Sequence, residues 1–455
     1  MSFATPDDRP APARTRPRLT VALISLGCAK NLVDSEVMLG ALKRSGYGFT
    51  GRPDQADVII VNTCGFIQPA RDEALKTLEQ VLRIKRRDPR KIVLAAGCYV
   101  ERDEAGLRRR FPGVDLWTGV RSFDRVPDLL GGRPAPTPPR TFLYSDRSPR
   151  LVSTPPTWAY VKVSEGCSHR CGFCSIPAIK GLYVSRSIAS IVREATALAD
   201  QGVREINLVS HDTTFFGRDR GLRHGLVRLI ERLLPVRGLE WIRALYGCPE
   251  EIADPLLEIM TEAKVCRYLD IPFQHADPKI VRAMRRGMDG ARALRVLDRI
   301  REKVPGVAVR TSLIVGFPGE GPREFRALMR FVERANFDHL GVFVYSPEGG
   351  TDSFRFRETV APEEKERRRA EVMTLQTELS SARNQATIGR VFDVLAEEFA
   401  SGGRVLVGRT RFQAPEVDGR VRVSLPRGAQ WPRHPVVRAR ISAAGPYDLR
   451  GELVP

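Results

Sequence analysis

The chain has 455 residues, 42% hydrophobic and 28% charged, a balance ordinary for a folded globular protein, and its length exceeds what one core usually holds, so two or three domains are expected. No apolar run reaches the roughly 18 residues of a membrane helix, which excludes a membrane protein of that type and points to the cytosol. A formal charge of +19 excludes an acidic chain and favours polyanionic company, such as RNA, a ribosome or nucleotide cofactors, although an Arg-rich composition can also reflect a biased genome.

Residues 1–18 have no apolar core and carry Asp7 and Asp8, so a disordered tail is expected rather than a targeting peptide. Residues 19–130 alternate apolar strands with helical patterns: "LTVALISL", "ADVIIVNTC" and "KIVLAAGC" are strands. "NLVDSEVMLGALKRSG" and "PARDEALKTLEQVLRIKRRD" are helices, the second opened by Pro69. This βαβαβ order predicts a doubly wound parallel sheet. Cys28, Cys64 and Cys98 each follow one of the three strands. Ligands bind at that edge of an open α/β sheet, so the three thiols should meet in one crevice. Small buried cysteines are the plainer explanation, but three at three strand ends favours a three-thiolate cluster site.

Residues 131–157 are rich in Pro and Gly and read as an interdomain linker. Strand and helix patterns then alternate again over 158–383. The strands are "AYVKVS", "REINLVS", "LEWIRALY", "RYLDIPF", "GVAVRTSLIVG" and "HLGVFVYS", with helices such as "IASIVREATALADQG" and "PREFRALMRFVERAN" between them. Six β/α units predict a partial barrel with its site at the carboxyl ends of the strands. A charged helix over 362–389 leads into a last segment, 384–455, where "RVFDVLAEEF", "GRVLVGRTRFQA", "GRVRVSL" and "HPVVRARISAAG" predict a small antiparallel barrel.

The run "CSHRCGFC" places Cys167, Cys171 and Cys174 just after the first barrel strand. A structural zinc would need a fourth ligand. His169 is too close in sequence to join comfortably, and Cys248 and Cys266 stand in apolar contexts that read as core. Three cysteines suit a [4Fe–4S] cluster with one iron left open, which can chelate S-adenosylmethionine. The spacing, with Phe173 before the last cysteine, resembles the radical S-adenosylmethionine superfamily. The whole chain resembles its methylthiotransferase family, which has an N-terminal three-cysteine domain, a radical S-adenosylmethionine barrel and a C-terminal TRAM-type barrel. "RVFDVLAEE", "GRVLVGRT" and "QAPEVDG" are TRAM-like.

That resemblance implies two [4Fe–4S] clusters and S-adenosylmethionine as cofactors, with Cys28, Cys64 and Cys98 on the auxiliary cluster and Cys167, Cys171 and Cys174 on the other. "SLGCAKNLVDSE", "NTCGFIQPA", "YLDIPFQHA" and "VYSPEGGT" are similar to the branch that modifies an aspartate of the twelfth protein of the small ribosomal subunit. The branch that modifies a tRNA adenosine usually shows Gln-Met-Asn after its first cysteine, and remains the alternative. A non-catalytic RNA-binding metalloprotein is a third reading. Ala29 and His211 depart from residues common in the family. For S-adenosylmethionine the candidates are Phe173, Ser210, Gln274, Arg310 and Gly316. Arg310 would pair the cofactor carboxylate and Gly316, with Gly319, would allow close backbone approach. Arg186 and Tyr345 are further candidates. The implied partners are the ribosomal protein, free or within the ribosome, and an electron-donor protein. The chain is expected to be a monomer, with the TRAM-like barrel docking the partner.

Overall fold

The computed structural model describes residues 19–133, 141–426 and 430–454. The tail expected over residues 1–18 lies outside the described residues. The N-terminal unit is a five-stranded, all-parallel sheet. In chain order its strands are β1 (Thr20–Ser25), β2 (Gly48–Phe49), β3 (Val58–Thr63), β4 (Ile92–Gly97) and β5 (Leu116–Thr118), arranged β2-β1-β3-β4-β5. The expected three strands form its centre. The two edge strands, of two and three residues, are too short to leave a pattern in sequence.

Every residue of β3 is buried, as its unbroken apolar run requires of a central parallel strand. Val58 and Ile60 face helix α1 (Ala29–Arg44), which presents Val33, Val37, Met38 and Leu42. Ile59 and Val61 face helix α2 (Gln68–Arg87), which presents Leu75, Leu78 and Val81. Burying each such side chain contributes about 1.5–3 kcal/mol, which holds helices on both faces and leaves the carboxyl edge free.

All six expected strands of the central unit form. Trp158–Lys162, Glu205–Val209 and Trp241–Ala244 make one parallel sheet, and Tyr268–Asp270, Ala308–Val315 and His339–Val344 another. A parallel bridge from Ile242 to Val265 connects them, so the six strands form an open arc with helices outside. The last unit is a closed five-stranded barrel reached through helix Pro362–Gln385. Its fifth strand, Leu449–Leu453, carries alternating burial that the charged sequence hid. The strand expected through "TRFQA" instead ends at Thr410.

The loop beyond Thr410 closes the amino ends of the arc. Arg409 and Arg243 both pair Glu205, at 2.6 Å and 2.8 Å, and none of the three side chains is more than 1% exposed. Tyr160 donates to Glu416 at 2.9 Å, Tyr268 to Asp418 at 2.6 Å, and His339 Nε2 lies 2.8 Å from the Phe412 carbonyl. The small barrel is therefore seated by buried, paired charges.

The N-terminal unit grips both edges of the arc. On one side Asp34 of α1 pairs Lys162 and, at 2.9 Å, Lys180, while Lys162 also reaches Glu165 at 2.7 Å. Glu36 holds Arg150 at 2.6 Å, and Arg150 holds Glu194 at 2.6 Å. On the other side Arg71 and Arg102 both meet Glu348, the latter at 2.8 Å. Of the expected linker, residues 134–140 lie outside the described residues; in 141–157 the side chains of Phe142, Tyr144 and Arg150 are buried between the two units.

Candidate functional site

Three glycines bring the two cysteine sets into shape, two of them at the first. Gly27 has φ +91°, and a Cβ there would lie 2.8 Å from Cys64 Cβ and 3.0 Å from its sulfur. A Cβ on Gly65 would meet the backbone of Tyr99 at 2.6 Å, just past Cys98. The loops after β1, β3 and β4 therefore touch in a way no side chain at these glycines would permit. Beneath them Asn62 donates to the Asn31 carbonyl at 3.0 Å and to Ser35 Oγ at 2.8 Å, tying α1 to β3. Cys28 is exposed at the crevice, and Cys64 and Cys98 are half-buried. Burial pushes the Cys98 thiol up to about 12; nearby Lys180 pulls it down, and Cys64 and Cys28 push it further up. Three thiols on adjoining loops, raised by burial and by one another, take their thiolate form around a cationic centre, so the donor set fits an iron–sulfur cluster.

The second set sits on the loop after Trp158–Lys162, at the carboxyl edge of the arc, where the sequence predicts it. Gly166, at φ +73°, lets that loop turn against the Leu182 carbonyl, which a Cβ would approach to 2.2 Å. Cys167 N–H donates to the Gly181 carbonyl at 3.1 Å, and Gly172 N–H to that of Met284 at 2.9 Å. Burial pushes Cys167 up to about 11 and Cys174 up to about 12, and Cys171 raises both further. Arg286, only 10% exposed, points Nη1 at Cys171 Sγ, 3.7 Å away, and its Nη2 donates to the Pro272 carbonyl at 3.1 Å. A thiolate set with a buried cation beside it also fits a cluster.

His169, expected to stand apart, hydrogen-bonds Asp212 at 2.5 Å, and these two ligand atoms and the Cys248 sulfur lie within 4.8 Å of one another. Asp212 also accepts from Thr214 N–H at 2.9 Å and Phe215 N–H at 3.2 Å, so it pins the cysteine loop to the next strand-end turn. Cys266 is core, as expected. Cys248 is buried too, but at the edge of this site, donating to Glu250 at 2.9 Å.

The residues expected around S-adenosylmethionine are placed unevenly. Ser210 is buried at a strand end, with Oγ accepting from Asp212 N–H at 2.9 Å. Gln274 follows the fourth strand at φ +69°, its backbone pairing Leu313. Phe173 packs on Ile280, Met284, Phe317 and Tyr345. Gly316, at φ +75°, faces Lys365, which a Cβ would approach to 2.3 Å. Gly319 N–H donates to Thr359 at 2.9 Å. Arg310 pairs Asp270 at 3.1 Å and Asp418 at 3.4 Å, near the floor of the arc. Arg186 likewise pairs Glu194 at 2.6 Å, and Tyr345 donates to Ser353 at 2.9 Å. His211 is held neutral: burial, then Lys30, push it down to about 3 against a pull from Glu165, and its Nδ1 has no partner among the described residues.

Three family models match the chain: an "Uncharacterized protein family UPF0004" over residues 20–119, the "Radical SAM superfamily" over 161–332 and a "TRAM domain" over 388–454. The solved structure of the radical S-adenosylmethionine methyltransferase TsrM from Kitasatospora setae superposes with a TM-score of 0.53 at 17% identity. It covers 73% of this chain and 75% of that one, a likeness of fold. A protein of Solibacter usitatus named ribosomal protein uS12 methylthiotransferase RimO is 42% identical over 96% of this chain and 95% of its own. A protein of the same name from Aquifex aeolicus is 40% identical over 95% of this chain and 97% of its own. With all three units matched in order and relatives this similar end to end, the chain belongs to the RimO family of radical S-adenosylmethionine methylthiotransferases.

Proposed function

We propose that this enzyme adds a methylthio group to the β-carbon of an aspartate in ribosomal protein uS12, using two [4Fe–4S] clusters and S-adenosylmethionine. The observation that carries the reading is the pair of three-cysteine sets, one on each of two units clamped together by Asp34 and Glu36. Membership of the family gives the enzyme class, one cluster and S-adenosylmethionine. The second cluster rests on Cys28, Cys64 and Cys98 and on the three loops that meet there.

An aspartate β-carbon is too weakly acidic for side-chain acid–base catalysis to open its C–H bond. Bound in the arc, a cluster and S-adenosylmethionine together supply a radical able to take that hydrogen, while the protein supplies position and shielding. Cys167, Cys171 and Cys174 would hold that cluster, and Cys28, Cys64 and Cys98 the one that carries sulfur. Asp212 and His169 fix the loop that carries Cys167, Cys171 and Cys174, and Gly27 and Gly65 shape the loops that carry Cys28, Cys64 and Cys98. Phe173, Ser210, Gln274, Arg310 and Gly316 are the residues proposed to contact S-adenosylmethionine. The division into an auxiliary-cluster unit, a radical unit and a TRAM-like unit accords with the three matched segments. An electron-donor protein would serve the clusters, the cytosol is the expected compartment for a ribosomal substrate, and the enzyme is taken as a monomer. Among the described residues no helix is long and apolar enough to cross a membrane.

Anaerobic reconstitution tests the two-cluster reading. About eight irons per chain are expected, and about four after Cys28→Ala, Cys64→Ala and Cys98→Ala together. Full iron retention by the triple variant would remove the auxiliary site.

A further inference from the structure

Lys30 stands two residues past Cys28 on the first turn of α1. Its side chain leaves the N-terminal unit and crosses to the arc, where the ammonium lies 3.4 Å from the ring centroid of Tyr246. The residue is only 7% exposed. The neighbouring buried lysines are both neutralised: Lys162 by Asp34 and Glu165, and Lys180 by Asp34. Lys30 has no such close carboxylate: among the described residues none comes within 4.0 Å of its ammonium, and the groups that face it are Tyr246, Cys28 and, farther off, Asp270. Asp270, the acid on this side of the arc, is engaged by Arg310 at 3.1 Å and by Tyr246 N–H at 3.2 Å.

A buried ammonium without a counter-ion is costly, and an aromatic face compensates only in part. The platform is itself held against its preference. Tyr246 has φ +64°, a region aromatic residues avoid, and is kept there by its amide on Asp270 and by Thr213 N–H on its carbonyl at 2.9 Å. Strain and a buried cation with no close carboxylate, beside Cys28 and between the two cysteine-bearing units, are the marks of a site that can receive a carboxylate from outside.

We propose that Lys30 binds the side-chain carboxylate of the substrate aspartate and so selects aspartate over asparagine. The proposal rests on the uS12 reading above. The carboxylate carbon is bonded directly to the β-carbon, so an ammonium gripping it fixes the reacting carbon one bond away. The compact charge on Lys30 meets a carboxylate in a desolvated setting, where a neutral amide of the same shape gains far less.

The test is anaerobic calorimetry of reconstituted holoenzyme, without reductant, against purified uS12 and against uS12 with its target aspartate changed to asparagine. Wild-type enzyme is expected to bind the aspartate form about 10- to 100-fold more tightly, the range for a charge-assisted hydrogen bond. Lys30→Met is expected to erase the difference and Lys30→Arg to restore most of it, with each variant's iron content reporting that its fold is intact. Equal binding of the two substrates by the wild type, which needs no variant, would overturn the proposal. So would a Lys30→Met enzyme that still prefers aspartate. If the wild type also leaves uS12 unmodified under turnover conditions, the uS12 reading falls with it; modified uS12 with no aspartate preference removes Lys30 alone.

Discussion

Single residues decide what the two crevices can hold. The six cysteines of the two sets stand out in sequence, because a strand end and a C-x3-C-x2-C spacing are local signals. The groups around them were not. Lys30 sits in plain view beside Cys28, yet only the packing of α1 against the arc brings it to Tyr246. The pairing of Arg310 with Asp418 could not be read either, since Asp418 lies over a hundred residues downstream, in another unit. Arg286 was invisible because Cys171 lies over a hundred residues upstream, on another strand-end loop of the same unit. A hydrogen bond to a cluster sulfur stabilises the reduced, more negative state, so Arg286→Met is expected to move the barrel cluster to a lower potential. A redox titration followed by electron paramagnetic resonance reads that shift directly, and an unchanged potential would assign Arg286 to packing alone. His211 makes a separate test. Its folded value near 3 lies below the ordinary value of 6.5, so between these limits the unfolded chain binds the extra proton. Its contribution is present above pH 6.5 and is lost as the pH falls toward 3. His211→Gln should therefore flatten the fall of stability with acidity in that window, by up to about 1.4 kcal/mol per pH unit. Urea unfolding at several pH values measures it.

At the scale of elements, the helix α1 does two jobs. Its apolar face, Val33, Val37, Met38 and Leu42, covers the N-terminal sheet and was readable as a helical period. Its other face carries Asp34 and Glu36 into a buried network with Lys162, Lys180 and Arg150. Two acids on a helix ordinarily signal solvent, so sequence alone could not reveal that this face is an interface. In the linker stretch 141–157, likewise, the prolines gave no sign that the side chains of Tyr144 and Arg150 would be buried. Removing one member of such a network strands its partners without counter-charge. Asp34→Asn is thus expected to destabilise the contact between the two cysteine-bearing units by about 3–5 kcal/mol. Denaturant unfolding should then show an earlier transition for the N-terminal unit, and coincident wild-type-like unfolding would contradict the clamp.

Across the whole molecule the architecture was largely legible, because period and order are written locally. Alternating strands and helices announced two α/β units, and Arg-rich alternation announced the terminal barrel. What sequence withheld was how the units meet. The small barrel fills the amino ends of the arc through Arg409, Glu205 and Asp418, and the N-terminal unit spans both of its edges. The two cysteine sets are thereby held on rigid units, in keeping with a reaction in which one site supplies a radical and the other sulfur. The high positive charge alone would equally suit an RNA substrate, so the acceptor is the point on which the reading turns. The direct measurement is intact-protein and peptide mass spectrometry after reconstituted enzyme, S-adenosylmethionine and a reductant are incubated with uS12 and, separately, with tRNA. A gain of about 46 Da on a single aspartate of uS12, from replacing hydrogen with a methylthio group, is the expected result. Methylthiolated tRNA beside unchanged uS12 would contradict it.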